Sequence, residues 1–123
     1  MIAGAVTADL AALISVVLRG TKGQEVGIDC LVDTGFDGHL SIPTTLIHEL
    51  GYSWQRRQEA ELADGRREFF DVYRGLVHWD GRLRSVEVDA VDAQPLLGMG
   101  LMRDFKLEIE AKPGGAVMLN PLI

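Results

Sequence analysis

Two apolar, β-branched runs, Ala12 to Leu18 and Val26 to Val32, flank Gly20-Thr21-Lys22-Gly23, a pattern that predicts a β-hairpin. Further strands are expected at Glu59 to Ala63, Glu68 to Trp79 and Leu83 to Val91. Asp64-Gly65 and Asp80-Gly81 divide them, and Asp-Gly is among the strongest turn dipeptides. Lys106 to Glu110 alternates polar and apolar positions, as a half-buried strand does. A last strand is expected from Ala116 to Leu119, after the Pro113-Gly114-Gly115 turn.

Two helices interrupt this pattern. Pro43 to Leu50 places Leu46, Ile47 and Leu50 on one stripe, with proline in the first turn and Gly51 just past the end. Gly100 to Phe105 is a shorter candidate, with Leu101 and Phe105 one turn apart. No internal repeat, low-complexity segment or linker is visible. The pattern predicts one mostly β domain over residues 1–123, with two short helices.

Composition narrows what such a domain does. A chain of 123 residues can bury one core but is too short for two lobes. With 47% hydrophobic and 24% charged residues it reads as globular. A net charge of −6 argues against nucleic acid, whose binding depends on clustered cations neutralising phosphates. The tight basic groups, Arg56-Arg57 and Arg66-Arg67, read as solvated surface. The lone Cys30 excludes an internal disulfide, fits a reducing compartment and reads as a buried, inert thiol. The apolar stretch from Met1 to Leu18 lacks a basic start and is broken by Asp9, unlike a targeting signal. No segment approaches the roughly 18 uninterrupted apolar residues of a membrane span, so a cytoplasmic protein without membrane association is expected.

The candidate chemistry lies where the second apolar run ends, at Asp33-Thr34-Gly35. Peptide hydrolysis without a metal or covalent nucleophile needs a base to deprotonate water and an acid to protonate the substrate. Two carboxylates roughly 3 Å apart supply both, because like charges that close share one proton. Asp33 is one member of such a pair, and the motif occurs once. Thr34 is stiff at χ1 and able to hydrogen-bond backbone groups, and Gly35 permits a sharp turn and close substrate approach. Taken alone, the triplet is also an ordinary turn sequence.

Its setting is more specific. The triplet sits in Leu31-Val32-Asp33-Thr34-Gly35-Phe36-Asp37-Gly38, followed by Leu40-Ser41-Ile42-Pro43 and a helix. Some sixty residues on comes Pro95-Leu96-Leu97-Gly98-Met99-Gly100-Leu101-Met102, in which an apolar-apolar-Gly segment can cross behind the Asp33 loop. Between them the Ala63-Asp64-Gly65-Arg66 hairpin tip is placed to cover the site. With these three features in order, the chain resembles the retropepsin-like family, most closely the small bacterial clan AA aspartic peptidases, from about Gly4 to Leu122.

The resemblance implies an acid-protease, closed barrel-like single lobe that assembles as a two-fold homodimer and acts as an aspartic endopeptidase without a cofactor. Asp33 would pair with Asp33 of the partner subunit, Thr34 would hydrogen-bond across the interface, and Gly35 would help bind substrate backbone. Asp37 matches a position contacting substrate main chain. Leu31, Phe36, Gly38 and Leu96 match the substrate-binding wall, Asp64 and Gly65 the flap tip, and Leu97 and Gly98 the supporting second motif. Phe36 stands where viral enzymes carry a small residue, Met99 stands where they carry an arginine, and the flap lacks their multiple glycines.

Other chemistries fit less well. Asp29, Asp33 and Asp37 are spaced by four, unlike calcium-loop ligands, and His39, His48 and His78 lack zinc-ligand spacing, so no metal is expected. A phosphoryl-transfer site would want an acid two residues after Asp33, where Gly35 stands, or a phosphate loop, which is missing. Trp54, Trp79, Phe69 and Phe70 read as core or interface aromatics. A different class stays open: a catalytically silent, dimeric peptide-binding or interaction module on the same fold. So does a peptidase that cleaves only its own precursor or one dedicated partner.

Overall fold

The computed structural model describes residues 1–123. Ten strands and two short helices follow in the order β1 (Ile2–Val6), β2 (Ala12–Arg19), β3 (Glu25–Asp33), β4 (Leu40–Ile42), α1 (Thr44–Leu50), β5 (Ser53–Glu61), β6 (Arg67–Trp79), β7 (Arg82–Ala90), β8 (Leu96–Gly98), α2 (Met99–Met102), β9 (Phe105–Ile109) and β10 (Ala116–Pro121). The strands are hydrogen-bonded in the order β5-β6-β7-β4-β8-β3-β2-β1-β10-β9, and an added β6–β2 pairing closes six of them into a barrel. This is the all-β single lobe with two short helices that the pattern predicts.

The barrel is built on strict alternation. Ile14, Val16 and Leu18 of β2 are buried while Ser15, Val17 and Arg19 face out. Val86 and Val88 of β7 do the same beside Leu40 and Ile42 of β4 and Leu97 of β8. Each such side chain contributes about 1.5–3 kcal/mol by leaving water. Cys30 is fully buried among them, and burial pushes its thiol up to about 12, with the Asp29 carboxylate adding to the effect. It is inert at neutral pH.

Three strands escape the sequence pattern. β1 reads Ile-Ala-Gly-Ala-Val, and its small residues carry little β propensity. It holds because β10 and β2 flank it, and Gly4 lies so close to β2 that a Cβ there would meet the Leu13 carbonyl oxygen at 1.9 Å. β4 and β8 have three residues each, too short to show a period. Two expectations need correction. The strand expected at Glu59 to Ala63 runs instead from Ser53 to Glu61, because pairing with β6 rather than burial sustains it. The second helix spans Met99–Met102 rather than Gly100 to Phe105. Asp104 adopts φ +68°, which breaks the helix, and Phe105 opens β9 with its ring edge-on to Trp79.

Outside the barrel, β5 and the first half of β6 form a two-stranded ribbon ending at Asp64-Gly65. At its tip Gly65 takes φ +84° and donates its N–H to the Leu62 carbonyl. Trp54 and Phe69 lie on this ribbon 57% exposed, so they are not core aromatics, whereas Trp79 is buried. Phe70 is half-buried. No helix is long and apolar enough to cross a membrane.

Candidate active site

Asp33 is the last residue of β3, which runs parallel to β8 with Leu31 beside Leu96, Val32 beside Leu97 and Asp33 beside Gly98. β8 thus passes directly alongside the Asp33 motif, bringing together segments sixty residues apart. Past Asp33 the chain turns: Phe36 N–H donates to the Asp33 carbonyl at 3.2 Å, and Gly35 N–H donates to Asp33 Oδ1 at 2.9 Å. The carboxylate is therefore held at one oxygen by its own loop, with the half-buried side chain at the mouth of the turn.

Three successive N–H groups stitch this loop to the second motif. Gly98 donates to the His39 carbonyl at 3.0 Å, Met99 to Phe36 at 2.8 Å and Gly100 to Gly38 at 2.9 Å. The approach is too close for side chains. A Cβ on Gly98 would stand 2.2 Å from the Gly38 carbonyl oxygen and 2.6 Å from the Phe36 ring. Leu97, fully buried, anchors the crossing segment in the core. The glycine in the apolar-apolar-Gly pattern is thus required by backbone contact.

The other sequence-derived positions divide. Leu31, Phe36, Gly38 and Leu96 are half-buried around Asp33, while Thr34, Gly35 and Asp37 are exposed beside it. The Thr34 hydroxyl bonds nothing within the chain, so the carboxylate's own bond to Gly35, and not the threonine, braces this loop. Asp64 and Gly65 stand at the far tip of the ribbon, where Asp64 accepts from Arg66 at 2.6 Å and the backbone and side-chain bonds from Arg66 hold its carboxyl below the usual range.

The sequence reading missed a charged wall at the base of the ribbon. Glu87 and Asp89 alternate with the buried Val86 and Val88 on β7, and that alternation was the available signal. Arg56 of β5 donates to both Glu87 and Gln58. Its hydrogen bond draws the Glu87 carboxyl down. Asp89 lies beside Val72 of β6 and Ser41 of β4. Burial, then the charges of Glu87 and Asp37, push its carboxyl up to about 6, against the opposing pull of Arg56. His39, half-buried just past the loop, is held below its ordinary value by burial and by Arg84.

No protein-family model matches the chain, and no curated protein matches it in sequence. Among solved structures it is similar to a retropepsin-like aspartic protease from Rickettsia conorii, with a TM-score of 0.64 and 20% identity over 98% of this chain and 89% of that one. The single lobe therefore has the retropepsin-like fold. The likeness spans barrel, ribbon and second motif together, because nearly the whole of both chains superposes.

Proposed function

We propose that the chain is an aspartic endopeptidase, active as a homodimer in which Asp33 pairs with Asp33 of the partner subunit. The observation that carries this reading is the position of Asp33. It closes β3 in a glycine-stitched loop of a retropepsin-like lobe, with a β-ribbon projecting from the same barrel. One lobe supplies one such carboxylate, and hydrolysis of an amide without a metal or a covalent nucleophile needs two.

In the proposed reaction the ionised carboxylate takes a proton from water, and the resulting hydroxide attacks the scissile carbonyl carbon. The protonated carboxyl donates to the carbonyl oxygen, giving a neutral gem-diol. Collapse breaks the C–N bond, and a proton passes to the leaving nitrogen. No covalent enzyme intermediate and no cofactor enters. Gly35 and Asp37 face the substrate backbone, Leu31, Phe36, Gly38 and Leu96 form the subsite wall, and Asp64 and Gly65 close over it from the ribbon tip. Thr34 hydrogen-bonds across the two-fold axis. The lone buried thiol supports a reducing compartment such as the cytoplasm.

The test is cleavage of a peptide library by the wild type and by Asp33→Asn, with and without a statine-type transition-state mimic. The expected outcome is inhibition of the wild type by the mimic, and loss of turnover by at least about 10³-fold in the variant with fold and dimer retained. Unchanged turnover in the variant would falsify the assignment. Peptide binding without cleavage by the wild type would establish the silent module instead.

A further inference from the structure

A recess of about 460 Å³ opens at the β6–β7 hairpin, remote in sequence from the Asp33 motif and lined by Trp79, Asp80, Arg82, Leu83, Arg84 and Phe105. Its volume falls in the range of small-molecule sites, about 300–1,000 Å³. Three observations give it chemistry. First, the Trp79 ring is 95% buried (5% exposed), and its indole N–H is the one buried side-chain polar group in the molecule without a hydrogen-bond partner. Buried donors are satisfied in the great majority of cases, so an orphan asks for an acceptor. Second, neither Arg82 nor Arg84 takes part in any of the chain's ion pairs, so both guanidiniums are available to a ligand. Third, the lining acid Asp80 is engaged by the Met1 ammonium at 3.4 Å. Beside that pair stand the unpaired donors of Arg82, Arg84 and Trp79, with Leu83 and Phe105 as apolar walls.

We propose that this recess binds an organic carboxylate with a short apolar body, its oxygens taken by the Arg82 and Arg84 guanidiniums and the Trp79 N–H. Guanidinium is the cation best matched to a carboxylate, and the apolar walls favour a tail over a bare inorganic anion. The N–H is closed to solvent, so an oxygen reaches it once a neighbouring side chain swings aside. Arg82, exposed and directly opposite Trp79 in the ladder, is placed to close on the ligand. Two sources carry this chemistry: a free small carboxylate, and the chain end of a peptide with an apolar last residue.

The experiment follows the Trp79 indole N–H resonance of ¹⁵N-labelled protein at pH 7 during titration with hexanoate, hexanol, inorganic phosphate, acetyl-leucyl-leucine and the amide of that dipeptide. Hexanoate is expected to shift the resonance saturably with a Kd of about 1 mM, in keeping with a ligand of its size. Hexanol and phosphate are each expected to bind at least tenfold more weakly. In Arg82→Gln/Arg84→Gln, with its fold checked by the remaining amide resonances, the hexanoate Kd is expected to rise at least tenfold. A response to the dipeptide but not to its amide assigns a chain end, and a response to hexanoate alone assigns a free carboxylate. Equal shifts with hexanol, equal binding of phosphate, or no saturable shift below about 50 mM hexanoate overturns the proposal whether or not the double variant folds.

Discussion

The barrel and the β5–β6 ribbon are made of the same strand geometry and are held by different forces. In the barrel each strand has neighbours on both sides and buries one face, so Ile14, Leu18, Leu40, Leu97 and Val88 share one core. The ribbon pairs only with itself: of its nine β5 residues, only Ala60 is even half-buried. Its side-chain contacts are surface ones, Trp54 to Asp71, Arg57 over Phe69 and Arg67 to Glu59, with Arg56 to Glu87 tying its base to β7. An isolated two-stranded hairpin is marginal in water. The contrast teaches that Asp33 is fixed by a packed frame, while the ribbon rests on its own ladder and on surface contacts.

Substitutions separate the two regions by size of effect. Leu97→Ala, in the segment crossing behind Asp33, is expected to cost about 2–5 kcal/mol, read as a lower urea midpoint at unchanged slope. Gly98→Ala is expected to cost at least about 2 kcal/mol, because its Cβ meets backbone rather than a movable side chain, and to displace the Phe36–Gly38 loop. Chemical-shift changes confined to residues 96–100, with the Phe36–Gly38 amides unmoved, would contradict the stitching. Phe69→Ala on the ribbon is expected to change stability by less than about 0.5 kcal/mol, since only an exposed cation–π contact is lost. A large loss there would mean that the ribbon is packed in solution and the contrast is false.

Asp89, at the junction of the two regions, gives an intermediate and pH-dependent effect. Its folded carboxyl is raised to about 6 from 3.8, chiefly by burial. The folded state therefore binds this proton more tightly, and the associated stability is present below pH 3.8 and lost as pH rises through about 6. A shift that size is worth roughly 3 kcal/mol for a fully buried acid, and solvent screening of this half-buried group reduces it to about 1 kcal/mol. Asp89→Asn is expected to remove that loss, so its unfolding free energy should gain on the wild type between pH 4 and 7. Parallel pH profiles for the two proteins would remove Asp89 from the account.

Legibility in the sequence followed the same boundary. Where burial alternates, as along β2 and β7, strands could be read directly, and the Asp33 motif with Leu97-Gly98 was readable because a carboxylate at a strand end and a glycine at a backbone crossing each have a local signature. β1 was hidden because Gly4 and the two alanines serve contact with β2 rather than burial, and the part of β5 before Glu59 because its ladder needs no apolar face. The Glu87–Arg56–Asp89 wall was unreadable as a unit, since its members come from β5 and β7 and meet only when the ribbon base packs on the barrel. The break before Phe105 depended on Asp104 in a left-handed conformation, which no helical period reveals.

In the proposed function one lobe carries half a site. Mixing wild type with Asp33→Asn under exchange conditions, at constant total protein, measures this directly. If both carboxylates come from different subunits, hydrolysis should follow the square of the wild-type fraction, so an equal mixture retains about one quarter of the activity in a random two-fold assembly. A linear dependence, with about one half retained, would mean that each subunit works alone and would contradict the shared site.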